Sequence, residues 1–476
     1  MEKRCHPITI LNNLLLVIYL VIIPVLRGFF SALRGDFVAW LAGAWIDILI
    51  FIGMVSFAVL RWYYTTWRCG ATGISLIIRF PYFSQCDLHW ENVTALSVIE
   101  PFYLRPIGAC VLRVETLGGS HRNADISICI LTRHAREIAK AYRAESALRE
   151  PERSYRPSKT SIVQMALLTS NSLIGILFIA TVVSQSASLF GNYFSTRLLD
   201  TLEEATRALA FGIPPAAAAI GYVLLLGWLF GVILLFLRYR RFSVSRTGDY
   251  LAIQGGTPTR RGYQVKVSGI AFVDVQQTLF SAAFQLSTLF ISAVGYGKHS
   301  DDIACLFPTV EQKTLQAHYD AFFPGFRPAQ PQLRPEKDGK LRFLLAPVGC
   351  VGGIAALAGV ALWRFPHWAS FILFVAFMAL APALLFWAVR RRDFRTGGIA
   401  LQDGALTMRY SAGLTFHTVV IPIEQMVGIE FYQNVFQRIA KKNCDLKIYT
   451  VAESQIEHCC RSINREQAAK LLGITL

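Results

Sequence analysis

The chain has 476 residues, of which 54% are hydrophobic and only 16% charged, and its formal net charge is +16. A soluble domain ordinarily carries about 25% charged residues, so the deficit excludes a chain built from soluble domains alone and points to lipid-buried segments. The positive balance rests on no nucleic-acid-binding motif, and Lys and Arg gathered beside a bilayer account for it, so nucleic acid is not an expected partner.

The ten cysteines form no paired Cys-x-x-Cys framework. Cys86-Asp-Leu-His89 and His458-Cys459-Cys460 each lack the second ligand pair that a structural zinc site needs, so neither a metal nor a cofactor is expected. Phosphate-loop, nucleophile-elbow and zinc-protease motifs are all missing from the sequence. A non-enzymatic protein is the expectation.

Along the chain, apolar runs at 8–26, 37–60, 162–183, 213–237, 343–363 and 366–389 are each long enough to cross about 30 Å of hydrocarbon, which takes roughly 20 helical residues. They pair into three hairpins, giving an expectation of six transmembrane helices. The first run follows Lys3 and Arg4, but its length and the span directly after it mark a retained anchor rather than a removable leader. Between the third and fourth runs, Leu198, Leu199, Leu202, Ala205 and Leu209 recur at helical spacing, as in a helix lying on the outer membrane surface. Lys and Arg crowd the open ends of the hairpins, nineteen against five in the hairpin loops, so both termini and the soluble segments are expected on the cytoplasmic side.

The segments after the hairpins, 61–148, 238–324 and 390–476, nearly match in length and read as one repeated unit. The expected division is therefore hairpin 1–60, soluble domain 61–148, linker and hairpin 149–237, soluble domain 238–324, Pro-rich linker and hairpin 325–389, and soluble domain 390–476. Each unit opens on a basic-aromatic exit such as Arg238-Tyr-Arg-Arg-Phe242. Strand-like runs follow from Gly73, Gly248 and Gly404. Alternating strands come next, marked by Val93, Leu96 and Val98, by Ile270, Val273 and Val275, and by Met426, Ile429 and Phe431. Each unit closes with a helix, expected to be capped by Thr132, Thr309 or Asn464.

The hairpin, the Arg-aromatic exit, the stretch Val273-Asp-Val-Gln-Gln-Thr-Leu-Phe280 and the final helix together resemble the membrane-anchored bacterial PH-like domain family of the YdbS/YdbT type, in its longer, three-unit form. That resemblance implies a PH-like split β-barrel with a C-terminal helix for each soluble unit, an α+β membrane protein overall, residence in the bacterial cytoplasmic membrane, and a shorter single-unit relative as a protein partner. The first unit departs from the pattern, with Glu100-Pro101 where the others carry Gln277 and Gln433.

Four groups of residues are candidate sites. Asp47, alone in mid-span, reads either as an intramembrane ion or proton site or as a buried hydrogen-bonding group beside Asn12, Asn13 or Gln164. Gln277 and Gln433 read as turn anchors or contact residues. Arg238, Arg240, Arg241, Arg390, Arg391 and Arg392 read as binders of anionic lipid headgroups or as topology signals. The leading function is a membrane-anchored scaffold or regulator presenting its domains to protein partners or anionic lipid. The alternative is a six-helix transporter or pore centred on Asp47.

Overall fold

A computed structural model describes residues 2–11, 14, 37–116, 118, 124–143, 152–169, 215–296, 303–434, 437, 443–451 and 457–474. After the short strand β1 (Lys3–Arg4) and helix α1 (Phe37–Tyr63) come β2 (Thr65–Cys69), β3 (Gly73–Ile78), β4 (Ser84–His89), β5 (Val93–Glu100), β6 (Ala109–Thr116), β7 (Ile126–Leu131) and helix α2 (Thr132–Tyr142). The next stretch holds β8 (Arg153–Tyr155), α3 (Lys159–Thr169), α4 (Pro215–Tyr239), β9 (Ser243–Thr247), β10 (Tyr250–Gly255), β11 (Arg260–Lys266) and β12 (Ile270–Thr278). It closes with the short α5 (Leu279–Ala283), then β13 (Leu286–Ala293), β14 (Cys305–Glu311) and α6 (Gln312–Phe322). The last holds α7 (Lys340–Arg364), α8 (Ala369–Thr396), β15 (Gly398–Gln402), β16 (Ala405–Ala412), β17 (Thr415–Pro422), β18 (Met426–Tyr432), β19 (Asn443–Thr450), β20 (Glu457–Asn464) and α9 (Arg465–Leu472).

The strand-like runs of the sequence are strands because apolar residues alternate between two covered faces, and short turns reverse the chain between them. At Asp403-Gly404 both residues take positive φ, 52° and 73°, the geometry of a two-residue hairpin turn whose twist matches the flanking strands. Of the expected helix caps only Asn464 serves, its side chain accepting from Gln467 N at 3.1 Å. Thr132 is already the first residue of its helix, and Val310, past Thr309, still belongs to β14.

The expected six membrane helices in three hairpins are not what the structure shows. Among the described residues two helices, Lys337–Arg364 and Pro366–Thr396, are long and apolar enough to cross a membrane, and they form one antiparallel pair. Leu49–Tyr63 of α1 and Val223–Tyr239 of α4 are shorter apolar helical stretches. Where the third span was expected to start, α3 instead buries Ile162, Met165 and Ala166 against α4 and β14, in the core with Tyr239 and Phe307. An apolar run does not reveal whether protein or lipid will cover it. Most of the run 8–26, most of 162–183, the stretch 184–212 and Asn12 and Asn13 lie outside the described residues.

The β-structure also departs from a row of self-contained barrels. The sheets run β1-β2-β3-β4, then β7-β6-β5-β11-β10-β9-β8, then β14-β13-β12-β17-β16-β15, then β18-β19-β20. Strand β5 pairs with β11, and β12 with β17, so each junction between successive strand sets is a continuous antiparallel ladder. The apolar cores follow the sheets: Ala95 of β5 and Val420 of β17 share one core with Val265 and Val273.

Candidate anion-binding clefts

At the foot of the α7–α8 pair, Lys337, Lys340, Arg391 and Arg395 line a cleft of about 530 Å³ together with Phe343, Leu344, Trp387 and Phe394. Four cations and no carboxylate border it. Phe343 packs edge-on against Phe394, centroids 5.5 Å apart, and the Arg391 guanidinium lies over the Trp387 ring at 5.5 Å. The floor is held in place from the last sheet. Arg342, in the first turn of α7, pairs with the buried carboxylate of Asp445, which also accepts from Gln437 Nε2 at 2.8 Å. Glu336 N donates to Ser462 O at 3.0 Å, and Glu336 Oε1 accepts from Asn464 Nδ2 at 2.7 Å. Above the cleft the helix pair turns large apolar side chains outward, among them Leu345, Leu357, Val360 and Phe377.

A second cleft of about 530 Å³ crosses the seam between β5 and β11. Arg136, Lys140 and Arg143 approach it from α2, Arg241 from the end of α4, and Arg260 and Arg261 from β11. Glu100 also lines it and offsets part of that charge.

The arginines singled out in the sequence fall into different roles. Arg391 lines the first cleft and Arg241 the second. Arg390 is buried, its Nη1 donating to Ser411 Oγ at 3.0 Å beside Asp393 at 3.5 Å, so it fixes α8 to β16. Arg392 covers the Phe416 ring at 5.0 Å. Arg240 is exposed at the mouth of α4, where its carbonyl accepts from Gly256 N at 2.9 Å, and Arg238 lies two residues earlier on that helix. Asp47 lies on α1, and its side chain is outside the described residues. In the sequence Lys337, Lys340 and Arg395 stand out only as topology signals, and of the seam cations only Arg241 is among the candidates. The spacing of Arg136, Lys140 and Arg143, one face of a helix, was the available signal.

Gln277 and Gln433 occupy matching places and make matching bonds. Gln277 Nε2 donates to Ser287 Oγ at 2.8 Å and Leu286 O at 3.2 Å, and Gln433 Nε2 donates to Asn443 O at 2.9 Å. Each ties the end of one strand to the start of the next. Gln277→Ala and Gln433→Ala are each expected to cost about 1 kcal/mol, the net worth of such a bond, seen as a melting temperature lower by roughly 2–4 °C. A larger effect on partner capture than on melting would instead make them contact residues.

The family model of the bacterial PH domain matches residues 204–319 and 343–475, together just over half of the chain. The chain belongs to the bacterial PH domain family. The first match takes in β9–β14 and most of α6, the second most of the α7–α8 pair and all of β15–β20, while 61–148 lies outside both. No curated protein and no solved structure matches the chain. PH-like domains are in general binding modules for lipid or protein rather than catalysts, and two clefts bordered by cations suit binding. The transporter reading took six spans with Asp47 at their centre, and among the described residues two helices, Lys337–Arg364 and Pro366–Thr396, are long and apolar enough to be candidate spans.

Proposed function

We propose that the chain is a membrane-anchored binding scaffold: the α7–α8 pair inserts into the bacterial cytoplasmic membrane, and the cleft at its foot holds the headgroup of an anionic phospholipid. The observation that carries this reading is the placement of four cations without a carboxylate at the base of two outward-facing apolar helices. Basic residues at that end of a hairpin favour the cytoplasmic side, which sets the sheets there as surfaces for protein partners. The seam cleft is the weaker candidate, because Glu100 shares it and offsets part of its charge.

The test uses the full chain in neutral detergent with short-chain phosphatidylglycerol and short-chain phosphatidylcholine as probes, read by Trp fluorescence. Each cation near an anionic headgroup contributes about 1 kcal/mol. Lys340→Ala, Arg391→Ala and Arg395→Ala together should therefore weaken phosphatidylglycerol binding roughly 100-fold and leave phosphatidylcholine binding unchanged. Equal binding of the two lipids by the wild-type chain, or an undiminished response in the triple variant, overturns the assignment.

A further inference from the structure

The two internal seams are built alike, position by position. In β5, β12 and β18 the ladder to the following strand slips at the same place, between Val93 and Ala95, between Ile270 and Phe272, and between Met426 and Gly428. Each of these strands begins four residues after the last residue of the strand before it, which is His89, Lys266 or Pro422. On that alignment Leu96, Val273 and Ile429 are equivalent, as are Asp87, Gln264 and Val420. At the first seam Leu96 stands opposite Gln264, and at the second Val273 stands opposite Val420. The register is the same at both.

Two strands of the series are left over. Among the described residues the outer edge of β18 pairs with nothing, and so does the outer edge of β4. The side chains register the missing neighbour. Val427 is 67% exposed, whereas its equivalents inside the seams, Thr94 and Ala271, are 7% and 0% exposed. Cys86 and Leu88 of β4 are half-buried, whereas their seam equivalents Tyr263 and Val265 are buried. An unpaired edge offers a row of free N–H and C=O groups to another strand, and here the strand of matching shape and register is at the other end of the same chain.

We infer that β18 of one copy of the chain pairs with β4 of a second copy, in the register of the internal seams. Ile429 then stands opposite Asp87, Glu430 opposite Cys86, and Phe431 opposite Gln85. The contact joins unlike surfaces, so it propagates head to tail and yields a row or a closed ring. Main-chain hydrogen bonds supply the attraction, as in other strand additions, and burial of Val427 and Leu88 adds to it.

The pairing puts a cysteine to use. Directly opposed residues of an antiparallel pair have Cα atoms about 4.5–5.5 Å apart, within the span of about 4.4–6.8 Å that a disulfide bridges. Glu430→Cys, introduced into the full chain in membranes and treated with copper-phenanthroline in air, should give a ladder of dimers and larger species on non-reducing gels. Glu430→Cys/Cys86→Ser should abolish the ladder, which controls for the other native cysteines. Mixing that double variant with a differently tagged wild-type chain supplies one reactive end from each, so the product should stop at the mixed dimer. In a second measurement, Val427→Lys should shift the unmodified protein from larger species toward the single chain in sedimentation velocity. A Cys86-dependent bond formed only within one chain overturns the inference. So does the lack of any such bond when the introduced thiol and Cys86 both react with maleimide in the folded Glu430→Cys protein.

Discussion

Asp274→Ala should lower the melting temperature of the full chain on the order of 10 °C, the largest effect expected of any single replacement proposed for this protein. Asp274 is buried in β12, and its Oδ2 meets His417 Nδ1 of β17 at 2.8 Å across the seam between the second and third strand sets. Gln276 Nε2 donates to the same oxygen at 2.8 Å. The His417 ring stacks on Tyr410 with centroids 5.3 Å apart, and the Tyr410 hydroxyl shares a hydrogen bond of 2.9 Å with His458 Nδ1. One chain of contacts therefore runs from β12 through β17 and β16 to β20. Removing one partner of a buried pair leaves the other desolvated and unmatched, which costs about 3–5 kcal/mol, and each kcal/mol moves the melting point of a protein region of this size by roughly 2–4 °C. Replacing both partners by apolar residues, Asp274→Leu with His417→Phe, removes the unmatched group as well as the attraction and should recover most of the loss. Thermal unfolding followed by Trp fluorescence in detergent decides the matter. A single variant that melts within about 2 °C of the wild type, less than 1 kcal/mol buys on this scale, would show that the pair does not hold the seam.

Stability should also fall as the solution is acidified from about pH 6.5 to about pH 4, and His458 should be a main cause. This imidazole is fully buried in β20, edge-on to Phe272 at 4.6 Å. Burial disfavours its charged form and lowers its pKa from the ordinary 6.5 to about 4, with Asp274 opposing the shift and His417 adding to it. Above pH 6.5 the imidazole is neutral in the folded and unfolded chains alike, and it contributes no pH dependence. Below 6.5 the unfolded chain takes up a proton that the folded chain refuses until about pH 4, so unfolding becomes easier throughout that window and levels off beneath it. At about 1.4 kcal/mol per pKa unit, the full loss approaches about 3 kcal/mol. His458→Gln keeps a polar group beside Tyr410 but takes up no proton. The difference in melting temperature between wild type and variant should therefore shrink or reverse from about pH 7.5 to about pH 4. A difference that stays constant over that range would remove His458 as the cause.

Much of the local structure was legible in the sequence. The runs at Gly73, Gly248 and Gly404 lead into β3, β10 and β16, and the helix expected from Arg465 to Leu472 is α9. Alternating apolar residues demand two covered faces, and a 3.6-residue period demands a single stripe, so these patterns select their elements wherever they occur. Arg391 was legible for a related reason, since a cation at the end of a long apolar helix has few places to go. Arg390 and Arg392, its neighbours in sequence, were read the same way. Helical geometry turns each of the three about 100° from the last, so one is buried against Ser411, one lines the cleft and one covers Phe416.

Two matters lay beyond the sequence. The first is what covers an apolar run: 343–363 and 366–389 are turned outward, whereas the run beginning at Ile162 starts as a helix packed on β14. Hydropathy does not separate the two cases, because it measures the cost of water and not the identity of the neighbour. The second is which strands meet at a sheet edge. Backbone N–H and C=O groups are alike at every residue, so the pairing of β5 with β11 and of β12 with β17 leaves almost no mark in the residues themselves. By itself the sequence determined the strands, the terminal helices and the basic ends of the apolar segments, because each follows from residues close together in the chain. The seams, the clefts that depend on them and the number of helices left facing outward were decided by tertiary structure, because each depends on which distant surface arrives to cover an edge or a face.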